Sequence, residues 1–370
     1  DHPTITLSNR EKSHNFKSLV SGKIGTRQCK LESGNTLQET LALYWKNKWD
    51  EFNKLDFDDP FVSGILYLPF LPWLNELLST EDIIELKNNS SFIHNLANSW
   101  WLPYLQKIQS KNKDLVFKNQ GPFSIFCQRM YLVETGMYNE PDHLLNEVTW
   151  RHDAYDFFKY LLNPLISQNK QYDHVMKLKH YWAEVTLDSS SERKTKAQNK
   201  TIRGRMVDFV LRLKSAEDKS LELFVCEIAG GPYNLKSDKI LSDKRKVFRE
   251  LQDMLAKIIG YFITNYKDRF TDNIVNKLHQ IKVYAAIGFD MKKGINICYP
   301  LSTITIPKTY SEASYLKILI ENFWCLRNAL QEMIELVIEI NEDLEQLHDS
   351  RPSKNVEGFL QYWNIYVPKT

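Results

Sequence analysis

Cysteine is scarce and scattered. The five residues Cys29, Cys127, Cys226, Cys298 and Cys325 are odd in number, and no two stand at zinc-finger or redox spacing. That argues against a disulfide-built secreted domain and favours a reducing compartment with buried thiols. No apolar run reaches the roughly 18 residues that a membrane helix needs, so no membrane partner is expected. Short catalytic motifs are missing too: there is no G-x-S-x-G elbow, no P-loop and no H-E-x-x-H. Gly230-Gly231 follows a predicted strand, but without the G-x-G-x-x-G pattern or a phosphate-cradling Lys-Ser/Thr, which makes nucleotide binding a poor reading. Neither an internal repeat nor a low-complexity tract is present. A net charge of +2 is too small for a polycation, so any nucleic-acid surface has to be a local patch. The first residue is Asp1 rather than Met, as expected of a trimmed chain, and an earlier targeting segment is compatible with that start. An intracellular protein, nuclear or cytoplasmic, is the expectation.

What remains is ordinary globular material: 370 residues, 43% hydrophobic and 25% charged. Residues 1–35 are polar and read as a loosely held arm. Residues 36–143 read as a mostly helical region. Thr36 to Leu55 carries Leu41, Leu43, Tyr44 and Trp49 on an apolar helix face. Asp59 to Pro72 is apolar and punctuated by proline, which fits a packed loop or short strand. Ser79-Thr80-Glu81-Asp82 is a helix start. Ser91 to Ser110 is helical with a break at Pro103, and its aromatics fit core packing, with base stacking as the alternative. The chemistry of this region is silent, and it is the place for any protein partner.

The pattern changes at about residue 144. Glu147 to Ser167 reads as a helix with acids at Glu147, Asp153 and Asp156, and His180 to Leu187 as a strand holding Glu184. Asp188 to Arg205 is polar and reads as a loop, basic at Arg193, Lys194, Lys196, Lys200, Arg203 and Arg205. Met206 to Leu213 and Leu221 to Cys226 form a hairpin by pattern. Asp238 to Phe262 is a helix whose first half is basic at Lys239, Lys244, Arg245, Lys246 and Arg249. Gln280 to Phe289 is a buried strand that pairs with Ile295 to Pro300, and Ser311 to His348 is a long amphipathic helix in a C-terminal extension, 311–370. The order helix, strand, strand, strand, helix, strand over 147–290 predicts an α/β (α+β) core, a mixed sheet flanked by helices, within a domain spanning 144–310.

Two acids sit in the apolar hairpin: Asp208 on its first strand and Glu227 at the end of its second. Glu222 lies there as well, but strict alternation turns it away from Glu227. A carboxylate in a buried strand is costly without a compensating charge. Two converging ones suit a hard divalent cation such as Mg²⁺, while a pair bridged to Arg205 or Arg212 is the structural alternative. His152 and His180 read as ordinary surface or half-buried histidines.

The blocks WAEVTLDSSSERK, GRMVDFVLRLK, LELFVCEIAGGP and KVFRELQDMLAKII, in that order, carry a resemblance. An acid on the second strand and Glu-X-(usually Lys) after the third resemble the PD-(D/E)XK nuclease superfamily over residues 147–290. The fuller set of blocks is similar to proteins common in mucoromycete fungi such as Rhizophagus and Rhizopus, some of which look like the nuclease-type C-terminal regions of Crinkler effectors.

That resemblance implies a restriction-endonuclease-like core and a magnesium (or manganese) site. It makes Asp208 the metal-binding Asp and Glu227 its partner, with the Ile228 carbonyl joining them and Glu184, Asp153 or Asp156 as further ligands. The position of the motif lysine holds Ala229, so the basic group would come from Lys236 or Lys239. The resemblance further implies phosphodiester hydrolysis, on DNA in preference to RNA. Arg193, Lys194, Lys196, Lys200, Arg203, Arg205, Lys244 and Arg245 would hold the backbone, and several such contacts would make binding salt-dependent. The alternative is a catalytically degenerate nuclease fold that binds nucleic acid or protein, effector-like.

Overall fold

The computed structural model describes residues 16–17, 31, 34, 36–55, 65–67 and 77–84, then 158–159, 162–198, 201, 203–215, 219–227, 237–285, 288–292, 295–299, 315–347 and 354–363. In the N-terminal part, α1 (Leu37–Trp45) starts on a capping box in which Thr36 and Glu39 satisfy each other's backbone N–H groups. The single helix expected over Thr36 to Leu55 is two, because α2 (Trp49–Lys54) begins afresh after Lys48. The expected start at Ser79 is present: the Asp82 N–H donates to Ser79 Oγ at 3.0 Å and the Ser79 N–H to Asp82 Oδ2 at 3.2 Å.

Among the described residues seven strands form one mixed sheet: β1 (Ile65–Tyr67), β2 (Met176–Thr186), β3 (Met206–Ser215), β4 (Ser220–Cys226), β5 (Lys282–Tyr284), β6 (Gly288–Lys292) and β7 (Ile295–Tyr299). Their spatial order is β1-β7-β6-β5-β4-β3-β2. β2, β3 and β4 are an antiparallel meander, β5 lies parallel to β4, and β1 lies parallel to β7. The one buried strand expected over Gln280 to Phe289 is two antiparallel strands, β5 and β6, because the chain folds back between Tyr284 and Gly288.

Helix α3 (Asp188–Gln198) occupies most of the stretch expected as a basic loop. Its start is anchored by Glu222, whose Oε1 accepts from the Asp188 N–H at 2.8 Å, a carboxylate at the positive end of a helix. Helix α4 (Ser237–Tyr266) follows β4, with Leu251, Met254, Leu255, Ile258, Ile259 and Phe262 buried at helical spacing. Then come α5 (Asp272–Leu278), α6 (Tyr315–Gln346) and α7 (Lys354–Trp363). Leu330, Ile334, Val337 and Leu344 of α6 and Val356 and Phe359 of α7 join the sheet and α4 in one hydrophobic cluster. The C-terminal helices are therefore part of the core's packing.

Alternation assigns the two faces of β3. Phe209, Leu211 and Leu213 face one side, where Phe158 stacks on Phe209 at 5.7 Å; Asp208, Val210 and Arg212 face the other, under α4. Both faces are covered, which is why β3 and β4 are buried along nearly their whole length. A bulge at Leu223 shifts the β3–β4 register between Leu211 and Arg212, so Arg212 lies opposite Glu222. The extra residue reverses the parity of β4 and brings Glu222 onto the face of Asp208 and Glu227. The expectation that it turns away fails for that reason.

Candidate functional site

The register pairs Phe209 with Cys226, so the next residues outward, Asp208 and Glu227, stand opposite each other on one face. Asp208 is 5% exposed. Burial pushes the Cys226 thiol up, and the charges of Asp208 and Glu227 add to the shift, as expected of a thiol beside both acids.

Lys246, in the third turn of α4, reaches this pair. Its ammonium bonds Glu227 Oε1 and donates to the carbonyl of Met206 at 2.8 Å. Neither Lys236 nor Lys239 can be compared with it: Lys236 and the side chain of Lys239 lie outside the described residues. Lys246 was legible as part of the helix's basic half, but not as a site residue. A signal was present: Lys246, Glu250, Asp253 and Lys257 fall on a single stripe of the helix, spaced three and four residues apart.

That stripe faces the sheet at Lys246 and helix α3 at Asp253 and Lys257. Glu250 is fully buried, and among the described residues neither of its carboxyl oxygens has a hydrogen-bond partner. Burial pushes its carboxyl well above the usual range, Lys246 and Arg205 pull it back, and Glu227 and Asp253 raise it further. Asp253 takes the Arg193 Nε at 2.7 and 2.8 Å, with Arg249 at 3.8 Å. Farther along, Lys257 pairs with Glu192 at 2.9 Å, and Arg212 lies 3.5 Å from the fully buried Glu222.

Glu184 sits at a second irregularity. β2 pairs Trp182 with Phe209 and Val185 with Val207, so Ala183 and Glu184 together oppose Asp208. Both are in the left-handed region, at φ 70° and 51°, which is strained for residues with a Cβ. Glu184 is exposed at this bulge. His180 does not approach the acids: it pairs with Leu211, stacks on Phe209 at 5.9 Å and so belongs to the opposite face.

No protein family, curated protein or solved structure matches the chain. The reading of the site therefore rests on its own geometry.

The basic residues expected to grip a phosphate backbone divide into two sets. Arg193 is held by Asp253. Arg205 Nη1 donates to the Lys246 carbonyl at 3.2 Å, and Arg203 Nε to Thr186 Oγ1 at 3.2 Å from an exposed position. Lys194 Nζ reaches the Arg203 carbonyl at 3.5 Å; burial lowers its pKa, and the nearby Arg205 and Arg193 charges lower it further. Lys200 and the side chains of Lys196, Lys244 and Arg245 lie outside the described residues, as do Asp153, Asp156, Ile228 and Ala229. Among the described residues no group of three or more His, Cys, Asp and Glu side chains is placed to hold a metal ion. The two facing carboxylates match the oxygen donors that a hard divalent cation takes, and the remaining donors would come from water or from residues outside this set.

Proposed function

We propose that the chain is a nuclease-like α/β protein that hydrolyses phosphodiester bonds, in DNA in preference to RNA, at a site built on Asp208, Glu227 and Lys246. The observation that carries this reading is the Lys246 ammonium seated on Glu227, across from Asp208. It supplies a basic group where Ala229 offers none. The element order supports it as well: a meander of three strands, a helix, and a strand parallel to the third is the arrangement expected of a restriction-endonuclease-like core.

Asp208 and Glu227 would hold Mg²⁺ or Mn²⁺, and a bound cation supplies an acidified water and a screen for the scissile phosphate. The chain's own contribution is placement. The register sets the two carboxylates on one face, and the charged stripe of α4 packs over them, where partial burial strengthens each charge interaction. Lys246 puts one positive charge beside the acids, fixed by the Met206 carbonyl, where negative charge would develop on a phosphoryl group. Arg203, exposed beside the start of β3 with its Nε on Thr186 Oγ1, would offer a backbone phosphate the rest of its guanidinium.

The test is cleavage of plasmid, linear duplex, single-stranded DNA and RNA with Mg²⁺ or Mn²⁺, beside Asp208→Ala, Glu227→Ala and Lys246→Met. Each substitution is expected to lower the rate about a hundredfold or more. Cutting that survives both acid substitutions rejects the site. Cutting unchanged by Lys246→Met rejects the lysine's role. Nucleic-acid or protein binding by the parent without any cutting favours the degenerate, effector-like binding module instead.

A further inference from the structure

We infer that Glu250 is a second seat for the Lys246 ammonium, taken up when a cation occupies Asp208 and Glu227. The inference rests on the cation-binding reading of those two acids and goes beyond it, because it assigns a positioning residue that neither the strands nor the motif contains.

Three observations converge. First, Lys246 occupies an oxygen that the acid pair would need. Its ammonium bonds Glu227 Oε1, so a cation arriving at the pair has to displace it or share that carboxylate with it. Second, Glu250 stands one helical turn on from Lys246, the i, i+4 spacing at which a lysine and an acid on one helix meet. Third, Glu250 is fully buried while both of its carboxyl oxygens lack a hydrogen-bond partner among the described residues. A buried polar group left unsatisfied costs roughly 1–3 kcal/mol, more when charged, and calls for an occupant in another state of the site. Lys246 exerts the largest favourable influence on the Glu250 charge, ahead of Arg205. The i, i+4 spacing makes the Lys246 ammonium the group on the same helix face able to satisfy it.

The exchange balances without an added reactant. In the resting protein Lys246 neutralises Glu227. When the divalent cation takes the Asp208–Glu227 pair, like charges repel and the ammonium leaves. Glu250 receives it, and any proton held on that carboxyl passes to solvent. The lysine then stays within one helical turn of the acids instead of swinging out, poised beside a phosphate rather than locked on a ligand. A buried acid at position 250 so lowers the penalty of loading the site.

Two experiments decide this. The crystal structure of full-length Glu227→Ala, which removes the resting seat, is expected to show Lys246 Nζ within hydrogen-bond distance of Glu250. An ammonium left on the Met206 carbonyl with Glu250 still unpartnered overturns the inference, and this arm needs no metal. The second is a double-mutant cycle on Mn²⁺ binding, read by calorimetry, with the parent, Glu250→Gln, Lys246→Met and the double variant, each checked for folding by circular dichroism. Glu250→Gln is expected to weaken binding roughly five- to tenfold when Lys246 is present and less than about twofold when it is Met. Equal losses in both backgrounds mean a structural role only and refute the second seat. If the parent takes up no Mn²⁺, the cation reading of Asp208 and Glu227 falls, and the crystallographic arm judges Glu250 separately.

Discussion

Replacing Gly204 by Ala is the most direct strain that can be placed on the base of the site. Gly204 precedes Arg205 and β3, packed against the start of α3. A Cβ built there would lie 2.2 Å from the Leu187 carbonyl oxygen, 2.5 Å from Ser191 Oγ and 2.9 Å from the Ser191 nitrogen, where ordinary contact begins at 3.4 Å. Only the hydroxyl can rotate away; the other two atoms are backbone. Overpacking of this kind costs about 1–3 kcal/mol. Relief also requires the β3 start to retreat from α3, which strains the Leu187 N–H bond to the Arg205 carbonyl at 2.8 Å and the Arg205 N–H bond to Ser190 Oγ at 3.1 Å. At about 1 kcal/mol each, these bring the expected loss to about 3–5 kcal/mol. With a urea slope of about 3 kcal/mol per molar, the unfolding midpoint should fall by roughly 1–1.7 M. A midpoint within about 0.2 M of the parent at unchanged slope would refute the close-approach argument.

Two further outcomes follow from buried charge. Burial, and then the charge of Lys159, holds the His180 pKa below its ordinary 6.5. The unfolded chain therefore binds the proton first, and this contribution to stability, full above 6.5, is lost as pH falls through the folded-state value. His180→Phe, which keeps the ring on Phe209, should remove that share of the slope between about pH 7 and 5, and a parent-minus-variant difference flat with pH would contradict it. Arg193→Met strips the 3%-exposed Asp253 side chain of its closest cation, leaving Arg249 at 3.8 Å. Denaturant titration should show a loss of about 3 kcal/mol, and a loss under about 0.5 kcal/mol would mean that Arg249 suffices.

The sequence revealed elements better than junctions. Periodicity located α4, because Leu251, Leu255, Ile258 and Phe262 repeat over a length no loop could sustain. It also showed β3 and β4, whose apolar runs are too short for helices and are separated by a polar turn. Asp208 and Glu227 stood out because acids are rare in such runs, and their pairing follows from hairpin register. Bulges were invisible. Nothing in the composition around Leu223 marks an extra residue, and one residue was enough to turn Glu222 onto the site's face. Nor did Ala183-Glu184 announce a left-handed pair, since neither is a residue that favours it. Helix α3 was missed because its sequence, DSSSERKTKAQ, has almost no apolar face; tertiary anchors, Glu222 at its start and Arg193 on Asp253, hold it in place. Lys246 and Glu250 were missed because a charged stripe on a helix reads as solvent-facing until the sheet beneath it is seen to be charged too.

The parallel pairing of β1 with β7 sets Ile65 beside Asn296, across most of the chain. Such a contact forms only after the intervening residues have compacted, because loop-closure entropy must be met before the ladder can repay it. β1 thus leaves the ribosome before β7 does, and until then during synthesis its partner does not yet exist. A chain shortened to begin beyond residue 143 would never complete that step: β7 would keep an open row of amide and carbonyl groups, a template for joining strands between molecules. β1 thereby covers the β7 edge of the sheet, and shortened forms should be judged first by whether they stay dispersed.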